Sequence, residues 1–193
     1  MVCLSMQSFH FLMTKILPRM VVLFAALAAF AAAESIPGLK VGDRAPDFTI
    51  QDASGTEVTL KALVTDGPVA LVFVRSADWC PHCRRQLSDL EAARVLVEAS
   101  GGRVVALSYD AVKTNAAVVA KLGLSYPLLS DVGSKVIDAY GIRNTEAKGR
   151  GEGIPYPTIF VVDSDGMIRV KLRREGHRVR PESDEIRAAF EGL

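Results

Sequence analysis

Residues 69–74 (VALVFV) form an uninterrupted apolar run, the pattern of a strand covered on both faces. Residues 104–107 and 158–162 repeat that character, so three central strands are predicted. Between these runs, apolar positions recur at helical spacing. Leu87, Leu90 and Val97 share one face, and Val112, Val119 and Leu122 share another, with Asp110 placed to cap the second helix. Strands alternating with helices predict an α/β fold. Nearer the N-terminus, residues 48–51 and 57–59 flank Ser54-Gly55 and read as a small hairpin. Asp163-Ser164-Asp165-Gly166 is a second hairpin turn, leading into residues 167–172. Residues 181–190 close the chain as a helix with Pro181 in its first turn. Residues 145–153 (TEAKGRGEG) are polar and glycine-rich, which predicts a mobile loop before Pro155-Tyr156-Pro157.

The first 33 residues break the pattern. They hold no Asp or Glu, carry Lys15 and Arg19, and then run through 14 apolar positions from Met20 to Ala33. That run is too short to span a bilayer. A basic start, a short apolar stretch and the small residues Ala31-Ala32-Ala33 describe a signal peptide over residues 1–33, cleaved before Glu34. The expectation is an exported protein, periplasmic in a bacterium, whose 34–193 segment is one domain. The bland alternative is an uncleaved leader, the single route by which this chain would meet a membrane.

Charge narrows the choice of partner. The chain has 23 Lys plus Arg against 22 Asp plus Glu, net +1, and no basic block, so the electrostatic footprint of a nucleic-acid binder is missing. Of three cysteines, Cys3 falls in the leader, which leaves Cys80 and Cys83 beside His82 and His177 in the exported segment. An exported domain whose only thiols are an adjacent pair has not used cysteine as scaffolding.

The chemistry is read at Trp79-Cys80-Pro81-His82-Cys83, directly after the first buried strand and at the start of a helix. A helix N-terminus presents unpaired N–H groups and the positive end of its dipole, so Cys80 is expected to ionise below the range of a free thiol. Cys83, one turn on, is expected to be more buried and less acidic. The two sulfurs face each other across one turn, so a disulfide opens and closes with little backbone movement. Pro81 suits the first helical turn, where its missing N–H costs nothing. His82, as a cation or hydrogen-bond donor, would add to thiolate stability and make the disulfide more oxidising. Each residue also has a bland reading: His82 as a solvated helix start, Trp79 as packing, His177 among Arg173, Arg174, Arg178 and Arg180 as a surface residue. Metal binding would have to use Cys80, Cys83 and His177 as soft ligands, a copper-chaperone reading; no other cofactor is implied.

The motifs Val41-Gly42-Asp43-Arg44-Ala45-Pro46-Asp47-Phe48, WCPHC, Leu128-Leu129-Ser130-Asp131, Ala139-Tyr140-Gly141-Ile142 and Pro157-Thr158-Ile159-Phe160-Val161-Val162-Asp163 resemble the redoxin group of the thioredoxin superfamily. That group takes in the alkyl hydroperoxide reductase/thiol-specific antioxidant proteins and the exported TlpA/ResA-type reductases. The resemblance covers residues 39–172. It implies a thioredoxin-like fold, a central mixed sheet flanked by helices, with an N-terminal β-hairpin extension. It also implies a cis Pro157 beside the cysteines, with Tyr156 preceding it in the substrate cleft.

Departures from the family separate its activities. Where peroxiredoxins place a Pro and a Thr or Ser ahead of the peroxide-attacking cysteine, this chain has Phe73 and Ala77, and Tyr156 stands in place of the later Arg. Arg75 and Arg143 are the candidates to replace that guanidinium. Where thioredoxins bury an acid, this chain has Val74, with Asp78 nearby at the surface. Pro81-His82 matches the oxidising DsbA enzymes, whose inserted helical domain is absent. The resulting expectation is an exported thiol-disulfide oxidoreductase with Cys80 as nucleophile and Cys83 as resolving thiol. Its partners would be protein thiols or disulfides and an unidentified recycling thiol. The alternative is a peroxiredoxin-like peroxidase in which Cys80 becomes a sulfenic acid and Cys83 condenses with it.

Overall fold

The computed structural model describes residues 37–176 and 178–193. The predicted leader, Cys3 and the cleavage point before Glu34 lie outside the described residues, as does His177.

The apolar runs become strands with both faces covered. In β3 (Val69–Phe73), Val69, Leu71 and Phe73 enter one core while Ala70 and Val72 enter the other. Side chains alternate across a strand, so an uninterrupted apolar run is what a two-sided core requires. β4 (Arg103–Ser108) and β6 (Thr158–Val162) flank β3, parallel and antiparallel respectively. The hairpin of β1 (Thr49–Asp52) and β2 (Glu57–Thr59) forms as the turn residues predict. It is not a detached extension, because β1 pairs antiparallel with β5 (Leu128–Ser130), which pairs parallel with β4. With β7 (Ile168–Leu172) on the far edge, the seven strands form one mixed sheet in the order β2-β1-β5-β4-β3-β6-β7.

Among the described residues, helices cover both faces. α1 (Leu60–Leu63) and α4 (Lys135–Ala139) supply Leu60, Leu63, Val136 and Ile137 to one core. In the same core the rings of Phe73, Tyr140 and Phe160 meet with centroids 5.1 to 5.9 Å apart. The opposite core takes Leu87, Leu90, Ala93 and Val97 of α2 (Pro81–Ala99), Val118 of α3 (Val112–Leu122) and Ile186 of α5 (Ser183–Ala188).

Two helix starts differ from expectation. Ala111, extended at φ −66° and ψ 152°, occupies the N-cap of α3 and makes no side-chain bond, because the Asp110 carboxylate is drawn elsewhere. α5 begins after Glu182 rather than at Pro181, since Glu182 and Glu185 form a reciprocal capping box that fixes the start. The glycine-rich segment before Pro155 is tied down rather than loose. It carries a 3₁₀ turn at Gly149–Gly151, and its carbonyls at Arg150 and Gly153 accept from the Tyr109 and Ser134 hydroxyls.

Candidate active site

The loop after β3 is held from below before it reaches the cysteines. Its Val74 N–H donates to Leu107 O of β4 at 2.9 Å. Ser76 is fully buried; its Oγ donates to Asp110 Oδ1 at 3.0 Å and accepts from the N–H groups of Asp78 and Trp79 at 3.1 and 3.2 Å. The other Asp110 oxygen accepts from Ala77 N–H at 2.7 Å. Burial, the largest influence, raises the Asp110 carboxyl above its ordinary range despite these donors, and Asp78 adds to the rise. Val74, in the thioredoxin acid position, is a fully buried core residue, and Asp78 is exposed as expected.

Cys80 is the N-cap of α2, extended at φ −92° and ψ 105°, and Pro81 occupies the first turn as predicted. The Cys80 sulfur accepts from Cys83 N–H at 3.2 Å, the contact an N-cap side chain makes with the third helical amide. The two cysteines are joined in a disulfide with Cα atoms 5.2 Å apart. Their burial does not differ as expected: Cys80 is 1% exposed and Cys83 fully buried, because Cys80 also packs into the core under the loop.

Trp79 is half-buried and its ring is bordered by polar groups. Its indole N–H donates to the Tyr109 hydroxyl at 3.0 Å, while the guanidinium groups of Arg75 and Arg150 lie 5.2 and 5.0 Å from its ring centre. These groups border a groove that also takes in Asn144, Lys148 and Ile154. Arg143, the other candidate for a peroxide-facing guanidinium, is committed to Asp138 and to the carbonyls of Gly133 and Ser134. Phe73 belongs to the aromatic cluster and Ala77 is fully buried, so neither position offers a hydroxyl or a ring nitrogen.

The register of β6 on β3 pairs Thr158 with Phe73, which brings Tyr156 and Pro157 to the end of the sheet where the cysteine loop begins. Both are half-buried, and Arg173 lies 4.6 Å over the Tyr156 ring. The expected cis bond at Pro157 is not found, since no described peptide bond is cis. An X-Pro bond favours trans by about 0.5–1 kcal/mol unless contacts override it. Here the Tyr156 N–H donates to Ile142 O, and its carbonyl accepts from Thr158 Oγ1 across the trans bond.

His82 is exposed on α2 and borders a groove formed with Gln86, Arg178, Arg180, Pro181 and Ile186. His177, the third ligand of the copper reading, lies outside the described residues, and among those described no cluster of three His, Cys, Asp or Glu side chains is placed to hold a metal. The residue that sequence reasoning missed is Arg180. Its Nε donates to Gln86 Oε1 at 2.8 Å and its Nη2 donates to the Cys83 sulfur at 3.6 Å. In the sequence it is one of a run of arginines in an irregular segment, where no periodicity marks a side chain that turns inward.

Comparison with known proteins bears on the same residues. Residues 41–171 match the AhpC/TSA family. The thiol-disulfide oxidoreductase ResA of Bacillus thuringiensis is 30% identical over 134 residues, covering 67% of this chain and 68% of that protein. Among solved structures, peroxidoxin BcpB from Mycobacterium tuberculosis superposes with a TM-score of 0.70 at 26% identity, covering 80% of this chain and 98% of that one. A peroxiredoxin-like protein from Aquifex aeolicus gives a TM-score of 0.69 at 21% identity, over 80% of this chain and 88% of that one, a likeness of fold.

Proposed function

The chain belongs to the AhpC/TSA family, and from that premise we propose that it is an exported thiol-disulfide oxidoreductase working through Cys80 and Cys83. The observation that carries the reading is the disulfide closed across the first turn of α2, with each sulfur facing a hydrogen-bond donor: Cys83 N–H on Cys80 and Arg180 on Cys83. Donors aimed at both sulfurs favour the pair in its ionised, opened form.

The exchange balances in either direction. A substrate thiolate attacks Cys80 Sγ, the Cys80–Cys83 bond breaks, and its electron pair leaves on Cys83. A second substrate thiol loses its proton to solvent and attacks the substrate sulfur of the mixed disulfide, and Cys80 leaves as a thiolate. The substrate is oxidised by two electrons and the pair reduced. In reverse, Cys80 attacks a substrate disulfide and Cys83 resolves the adduct. Trp79, Tyr156 and Pro157 line the approach, with Pro81 and His82 setting the helix start. Export rests on the pattern of residues 1–33.

The likeness to a peroxidoxin favours peroxide reduction as a second reading, and Phe73 and Ala77 speak against it. Cys83→Ser separates the two. The expected result is a mixed disulfide between Cys80 and a protein or small thiol, released by reductant. A stable Cys80 sulfenate, formed with peroxide at a rate orders of magnitude above a simple thiol of similar acidity, would overturn the exchange reading.

A further inference from the structure

Arg180 reaches the disulfide because the C-terminal segment docks on α2. Ile186 and Phe190 are buried in the core that holds Leu87 and Leu90, and Ser183 Oγ donates to Asp89 O at 3.3 Å. Gly102 leaves room for this docking, since a Cβ there would stand 2.4 Å from the Phe190 ring. The segment just before α5 is thereby laid along α2, where Cys83 and buried Gln86 are neighbours one turn apart. Gln86 fixes the guanidinium through Nε, the Val179 carbonyl holds Nη1 at 2.9 Å, and Nη2 is left facing Cys83.

We infer that Arg180 is a catalytic residue of this site: it stabilises Cys83 as the leaving thiolate when the disulfide opens, and so makes the pair an acceptor of electrons from dithiol substrates. The inference rests on the thiol-disulfide reading above and assigns its direction. A disulfide sulfur is a weak acceptor and a thiolate a strong one, so the same contact strengthens as the bond breaks. The Arg180 guanidinium is half-buried. Burial first, and the charge of Arg75 second, bring its acidity to about 10, which still leaves it charged at neutral pH. A stabilised thiolate departs faster and shifts the equilibrium toward the reduced protein. The other titratable and charged groups that border Arg180 are His82, Arg85 and Asp89 of α2 and Arg178 and Glu182 of its own segment, with Arg75 of the loop before α2 close enough to act on it.

The test equilibrates the full-length protein with dithiothreitol at fixed pH. Arg180→Met is expected to move the equilibrium tenfold or more toward the disulfide, about 30 mV by the two-electron relation. Arg180→Gln keeps a hydrogen-bonding side chain in the seat should the apolar variant fail to fold, and is expected to move it in the same direction. Arg180→Lys should recover part of the loss, and Arg178→Met, a control on the same segment, should leave the equilibrium at its wild-type position. Thiolate absorbance of Cys83 in the Cys80→Ser background should titrate at higher pH once Arg180 is neutralised. Wild-type exchange with an unchanged equilibrium in both neutral variants would overturn the role of Arg180. A wild type that fails to exchange with any dithiol would overturn the oxidoreductase reading instead, and the Cys83 titration would still report whether the Arg180 contact acts.

Discussion

Ser76 and Asp110 show how a single buried pair sets the position of the reactive loop. Ser76 Oγ serves three partners, and Asp110 holds both Ser76 and the Ala77 amide. Burial raises the Asp110 carboxyl more than these donors lower it. A carboxylate with a raised folded-state value binds more protons in the native than in the unfolded chain. Stability therefore falls as pH rises from the ordinary value of 3.8 through the raised one, and is flat above it. The expected outcome is that wild type loses urea resistance relative to Asp110→Asn across that window, whatever the constant offset between them. A difference that is level with pH would mean the Ser76 and Ala77 hydrogen bonds cancel the effect of burial, and one that slopes the other way that they outweigh it. None of this is visible in the sequence, where Asp110 stands just where a helix cap is wanted. The cysteine pair is legible there because spacing alone brings its sulfurs together, whereas Ala77 and Ser76 lie 33 and 34 residues from Asp110, and Gln86 and Cys83 lie 94 and 97 residues from Arg180.

At the scale of elements, the legible parts are those whose pattern is local. The three apolar strands, both hairpins and the buried face of α2 follow from periodicity. β5 and α4 are too short to show a period, at three and five residues. What makes α4 a helix is a contact ahead of it. The chain turns through left-handed Gly133 and Ser134, and the buried Asp131 carboxylate accepts from Val136 N–H at 3.1 Å and Ile137 N–H at 2.8 Å. These are amides that the helix start leaves without partners. Asp131→Ala is expected to cost about 1–3 kcal/mol, the range for losing a cap and stranding buried donors. Urea denaturation of the two proteins under identical conditions measures it. A change within about 0.5 kcal/mol, the size of an ordinary surface substitution, would show that the packing of Val136, Ile137 and Tyr140 holds α4 without the cap.

For the whole molecule, redox state and folding are tied by a closed cycle. Oxidised and reduced, folded and unfolded forms make four corners, so whatever the fold does to the potential of the pair it must also do to the stability gap between the two forms. Closing so short a loop should by itself stabilise the oxidised protein by about 2 kcal/mol in the chain-entropy account. Arg180 on Cys83 and the α2 N-terminus under Cys80 act the other way, because they favour thiolates present only in the reduced fold. The expected gap in wild type is therefore smaller than loop closure supplies, or reversed, and Arg180→Met should widen it in favour of the oxidised form. Urea unfolding of both redox forms measures the gap without any substrate, and Trp79, the only tryptophan and the neighbour of Cys80, reports the transition. The widening in free energy must equal the shift in equilibrium with dithiothreitol, since both are sides of one cycle. A full loop-closure gap in wild type that Arg180→Met leaves unchanged would place Arg180 in the structure of the C-terminal dock and outside the chemistry of the pair.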